Sequence, residues 1–322
     1  MPGSYAHITL VNEASEKRSL NRIVGFPREA IEAANLHVNF LELGCVSPDY
    51  PYLDLTSGDS RKWANAMHYT HTCQAICVGA ELVRRLPPGL SKEKCLAWLT
   101  GYTAHVVADM CIHPVVELKV GRYNKAHATA HRRCEMHQDV YIFRRMGLGM
   151  PQTANHMKAT ILSCGASDDP KQLDRDVKKL WEELLKKVHP KAFTDDPPDM
   201  DKWHRRCYKI LEKLLPTSSR FVGFARHVCN GFGVLYPSPD EIDRKEYIEN
   251  LRVPAPKGID RRQQYDDIFN FAIKRVQQVW FDVTRYALGY GDLIAFRNQE
   301  WNLDNGLNEL AEGEGPVFWK EA

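Results

Sequence analysis

Along most of this chain the apolar residues recur three and four positions apart, the spacing that puts them on one face of an α-helix. REAIEAANLHVNFLELG, residues 28–44, predicts a helix closed by Gly44, and RKWANAMHYTHTCQAICVGAELVRR, residues 61–85, predicts a longer one that stops before Pro87–Pro88–Gly89. Ser91 reads as the N-cap of a third helix that runs through 101–113 and ends at Pro114, since proline has no N–H to continue it. Further helices are expected over 125–146, 170–188, 200–215 and 216–230. The polar, proline-punctuated stretch 236–260 then reads as a linker or wrapping arm. DDIFNFAIKRVQQVWFDVTRYALGYGD, residues 266–292, returns to helical spacing, and the acidic tail after 300 reads as irregular. No run alternates as a half-buried strand would. The expected fold class is all-α, with a unit over 1–235 and a C-terminal arm and helix over 236–322 packed on it.

Within the third helix, GYTAHVVADMCIH places His105, Asp109 and His113 at intervals of four. Each such step is about one helical turn with a drift of roughly 40°, so the three side chains leave the same face while Val106, Val107, Ala108 and Ile112 bury the others. A buried stripe of two imidazoles and a carboxylate is costly unless it is a satisfied polar network or holds a cation. HATAHRRCEMHQD, residues 127–139, repeats the device: His131 and Glu135 share a face and can chelate one ion, with His127 and Asp139 extending the row as further ligands or as groups that orient the ligands.

Composition narrows the field without deciding it. A net charge of +2 over 322 residues calls for neither nucleic acid nor an anionic membrane. No apolar run approaches the length of a bilayer span, and the first residues do not read as a secretory signal. The nine cysteines are odd in number and irregular in spacing, which suits reduced thiols in the core of a cytosolic protein. Of 13 histidines, nine fall in the first 137 residues, so the chemistry is expected in the N-terminal half.

Three more pieces complete the pattern: His7, the Gly44–Asp49 segment GCVSPD, and Trp63–His68 in WANAMHY. With GYTAHVVADMCIH and HRRCE, and in this order, they resemble the zinc-dependent phospholipase C family, which shares its fold with S1/P1 nucleases and with the N-terminal module of glycosylphosphatidylinositol-specific phospholipase D. The resemblance covers residues 1–140 by motif and extends toward 235 by helix pattern. It implies an all-α bowl holding two or three Zn2+ ions. Asp49, His68, His105 and Asp109 would hold one, and His113, His131 and Glu135 a second. Asp109 and His7 would share the third with the terminal residue of the processed chain. Pro2 lies five residues before His7, and loss of Met1 would expose its imino nitrogen for that place; an intact mass that retains Met1 in active three-zinc protein would exclude it.

Histidine and carboxylate donors without thiolate suit zinc, and a zinc-held water loses its proton near neutral pH. The expected reaction is hydrolysis of a glycerophospholipid to diacylglycerol and a phosphorylated head group, with Asp49 also orienting or deprotonating the water. The expected partner is a phospholipid surface met peripherally, with no stable nucleic acid. The expected place is the cytoplasm, or outside the cell by a route without a signal peptide. The alternatives are an S1/P1-like nuclease or 3′-nucleotidase, and a metal-stabilised binding protein without turnover. An HD-type phosphohydrolase needs an adjacent His–Asp dyad, which this chain lacks.

Overall fold

The computed structural model describes residues 3–54, 58–148, 156–214, 236–311 and 313–320. Pro2 and the helix expected over 216–230 lie outside them. The fold is all-α, and its only paired strands among the described residues are Leu251–Arg252 and Arg262–Gln263, antiparallel. In chain order the helices are α1 (Ser4–Ala14), α2 (Lys17–Leu20), α3 (Arg28–Leu36), α4 (Val38–Val46), α5 (Gly58–Tyr69), α6 (Thr72–Arg85) and α7 (Leu90–Val120). Then come α8 (Ala128–Phe143), α9 (His156–Leu162), α10 (Arg175–Val188), α11 (Pro190–Asp195) and α12 (Met200–Leu214), followed near the C-terminus by a long helix over Tyr265–Ala287.

α7 is the axis. It is apolar on nearly every face, as a helix enclosed by others must be, and everything from Cys95 to Val116 is buried. α1, α3, α4, α6, α8, α10 and the Tyr265–Ala287 helix pack around it. By length and composition α7 could cross a bilayer, contrary to the expectation that no segment could, but its apolar window lies wholly inside the protein. α10 likewise turns Val177, Leu180, Trp181, Leu184, Leu185 and Val188 into the core, so its lysines and glutamates form the solvated face.

Several boundaries differ from the sequence reading. The 28–44 helix divides at His37, whose φ of −118° and ψ of 43° end one helix and start the next. The 61–85 helix divides at His71, which adopts a left-handed conformation (φ 56°). α7 starts two residues early, with Gly89 rather than Ser91 as its N-cap, and passes through Pro114 to Val120. Proline mid-helix leaves the carbonyl four residues back without its donor. Here that carbonyl belongs to Met110, and the backbone at Gly306 (φ +72°) sits over it so closely that a Cβ there would come within 2.8 Å of the oxygen.

Gly44 does not end its helix either. It faces Gly101 of α7, and the two backbones meet: a Cβ on Gly44 would fall 2.0 Å from Trp98 O, and one on Gly101 would fall 2.0 Å from Leu41 O. This crossing brings the C-terminal end of α4 against the middle of α7. The chain then continues as a 3-10 turn over Ser47–Leu53 that carries Asp49. The Trp98 indole N–H donates to Ser47 Oγ (2.9 Å) and anchors the start of that turn.

The arm and tail lie on the core. Trp280 donates to Thr100 O (2.8 Å), Gln277 to Ala14 O (2.9 Å) and Trp319 to Cys111 O (2.9 Å). The eight described cysteines are free thiols, seven of them buried and Cys77 partly so, as expected of core residues.

Candidate metal centre

The side chains of the centre arrive on five elements. α7 presents His105, Asp109 and His113 from one face, all but inaccessible to solvent. α1 contributes His7, the turn after α4 contributes Asp49, α5 contributes His68, and α8 contributes His131 and Glu135, every one buried.

Two sets of donor atoms converge around α7. Ligand atoms of His7, His105 and Asp109 lie within 4.8 Å of one another, as do those of Asp49, His68 and His105. His7 Nε2 is 3.2 Å from Asp109 Oδ1, His105 Nε2 is 3.5 Å from Asp109 Oδ2, and His68 Nε2 is 3.6 Å from Asp49 Oδ1. One turn further along α7, His113 Nε2 and His131 Nδ1 each lie 3.8 Å from Glu135 Oε1.

Backbone carbonyls fix the rings. His105 Nδ1 is 2.8 Å from Cys45 O, His68 Nδ1 is 2.6 Å from Ala64 O, and His131 Nε2 is 2.6 Å from Gly121 O. A carbonyl only accepts, so each of these nitrogens carries the proton and the opposite nitrogen offers a lone pair to the interior. The Nε2 atoms of His68 and His105 then face each other at 3.2 Å, acceptor to acceptor. A proton between them is opposed by burial, which pushes His105 well below the ordinary imidazole range and His7 down to about 3. The buried His113 Nε2 and His131 Nδ1 make no hydrogen bond among the described residues. Neutral imidazole lone pairs turned inward beside carboxylates are what a divalent cation requires, so the donor set fits zinc.

Two candidates are placed otherwise. Asp139 reaches the N-terminus of α1 and accepts from Ala6 N–H (2.8 Å), Tyr5 N–H (3.4 Å) and Tyr236 O–H (2.8 Å). It caps the helix that carries His7 and favours the positive end of its dipole. Burial raises its carboxyl to about 7, against the pull of those three donors. His127 sits in the loop before α8, its Nδ1 2.9 Å from Arg122 O, beside Gly121. His71, the neighbour that competes with His68 for a place in the centre, is turned outward beside Glu300.

Sequence reasoning misses one acidic group. Asp304, in the tail, places Oδ1 3.4 Å from His113 Nδ1 and accepts from Tyr69 O–H at Oδ2 (3.0 Å). The surrounding WNLDNG reads as a turn, and nothing in it points to the distant histidine.

Compared with known families, residues 6–191 match the family described as "Zinc dependent phospholipase C". No curated protein and no solved structure matches the chain.

Proposed function

The chain belongs to the zinc dependent phospholipase C family, and on that premise we propose that it is a zinc-dependent phosphodiesterase that cleaves a glycerophospholipid to diacylglycerol and a phosphorylated head group. One observation carries the metal: two buried imidazoles oppose their unprotonated Nε2 atoms at 3.2 Å, an arrangement that repels unless a cation lies against it. Asp49, His68, His105 and Asp109 would hold one zinc, and His113, His131 and Glu135 another. His7 with Asp109 supplies a place for a third. Bound zinc supplies a Lewis acid for the phosphoryl oxygens and lowers the pKa of a water toward 7.

The chain's own residues do the rest. The Cys45, Ala64 and Gly121 carbonyls hold three imidazoles in the tautomer that binds metal. Asp49 comes from a turn rather than a helix, beside His68 Nε2, and its carboxylate is the acceptor we assign to the proton of the attacking water. The unit over 1–235 carries this chemistry, and 236–322 packs on it as an arm. In this reading the enzyme meets its lipid peripherally, in the cytoplasm or after export; the one helix among the described residues long and apolar enough to cross a bilayer, α7, lies inside the protein.

The test pairs metal analysis of the purified chain with hydrolysis of phosphatidylcholine vesicles, single-stranded DNA and 3′-AMP. Diacylglycerol release that zinc restores after chelation is the expected result. Cleavage of DNA or 3′-AMP alone would make the chain a nuclease or nucleotidase, and zinc content without hydrolysis of any of the three would make it a metal-stabilised binding protein.

A further inference from the structure

His113 differs from three of the other histidines of the centre. His68, His105 and His131 each give a ring N–H to a backbone carbonyl, whereas His113 Nδ1 faces a carboxylate 3.4 Å away, that of Asp304. The other ring nitrogen of His113 points at Glu135. A carboxylate behind a metal-bound imidazole fixes its tautomer and raises its basicity.

The segment that brings Asp304 there is built to sit in one place. Leu303 N–H donates to His68 O (3.3 Å), and Trp301 exchanges hydrogen bonds with Thr72, Oγ1 to O at 2.7 Å and N to Oγ1 at 3.2 Å. Asn302 Oδ1 accepts from Asp304 N–H (3.0 Å), and Gly306 N–H donates to Asn302 O (2.9 Å). Gly306 lies against Pro114, the residue after His113, with no room for a side chain: a Cβ would stand 2.6 Å from the proline ring. Trp301, Leu303 and Trp319 are buried. The second Asp304 oxygen takes the Tyr69 hydroxyl, one residue from His68. One carboxylate therefore ties the α5 and α7 sides of the centre to the tail.

We propose that Asp304 is a positioning residue of the metal centre, orienting His113 for the zinc it shares with His131 and Glu135, so that residues 300–306 belong to the functional site. The proposal rests on the zinc assignment above, though not on the identity of the substrate.

Full-length Asp304→Ala, Asp304→Asn, Asp304→Glu and Thr72→Val test it. Zinc per chain is titrated against a chelator of known affinity, with a thermal melt as a check on folding. Asp304→Ala weakens one zinc about 10- to 100-fold, and Asp304→Glu restores part of the loss. Thr72→Val loosens the segment without touching the carboxylate and leaves zinc affinity unchanged. If the alanine variant does not fold, the isosteric Asp304→Asn takes its place and shows a weakened zinc. Equal chelator resistance in wild type and the Asp304 variants would overturn the proposal. So would a loss in Thr72→Val as large as that in Asp304→Ala, which would reduce the segment to a strap. Wild-type chain without zinc would remove the metal centre itself, whereas zinc without lipid hydrolysis would defeat only the proposed reaction.

Discussion

At the residue scale the centre is a matter of which nitrogen holds the proton. Asp109 lies between His7 and His105, within reach of both (3.2 and 3.5 Å). Asp109→Asn keeps the shape and removes the charge, and zinc content should fall on metal analysis while the melt stays cooperative. Asp49→Asn keeps most of the metal set but removes the proposed proton acceptor, so turnover at saturating zinc should drop about 10²–10⁴-fold. A second buried acid provides a pH marker away from the centre. Glu42 accepts from His156 Nε2 (2.7 Å) and from Asn12 Nδ2 (2.7 Å), and the bond to Glu42 raises the His156 pKa. A raised histidine stabilises the fold below its unfolded value, about 6.5, and the benefit fades as pH rises through the folded value. In Glu42→Gln the His156 titration followed by NMR should move down, and that pH dependence should disappear. An unmoved His156 would mean that the two groups do not interact in solution.

Among the elements, the α4–α7 crossing decides most. Two glycines let the helices touch backbone to backbone, and the contact carries Cys45 O to His105 and the Asp49 turn to His68. Gly44→Ala must push Trp98 O away from a 2.0 Å approach. The expected cost is about 1–3 kcal/mol, read as a lower melting temperature, together with weaker zinc binding because the carbonyl moves with the helix. A variant that melts lower yet binds zinc as wild type does would separate the crossing from the centre. The α5–α6 break follows a similar logic. The left-handed turn at His71 ends α5 just after His68 and Tyr69, where the tail can reach both. At Pro114 the helix continues while buried on all sides, with Gly306 packed over the Met110 carbonyl that the proline leaves without its donor.

For the molecule as a whole, the centre is a cost in the folded chain until a cation offsets it. The unfolded chain protonates His7 near pH 6.5, while burial delays that to about 3 in the fold, and His105 behaves likewise. The unfolded state therefore binds more protons below about pH 6.5. Stability of the zinc-free protein should fall there by about 1.4 kcal/mol per pH unit for each such ring. Thermal melts of chelator-treated protein from about pH 7.5 to about pH 5.5 measure the slope, and a flat profile would show that the rings are not buried as described. Zinc at about 100 times its dissociation constant should add about 2.7 kcal/mol per site, which raises the melting temperature most near neutral pH.

Helix content and the His/Asp faces of the candidate centre were legible in the sequence because both are local periodicities. Side chains four apart on a helix share a face whatever surrounds them, so His105, Asp109 and His113 formed one row, as did His131 and Glu135. Order along the chain added His7, Asp49 and His68 through likeness to a family. The fold decided what no local pattern encodes. It set Gly44 as a crossing point instead of a helix end, carried α7 through Pro114, and gave Asp139 to the α1 N-terminus. It also brought Asp304 from the tail to His113. These outcomes depend on which backbone lies opposite, and that is settled only when distant segments compete for the same buried surface.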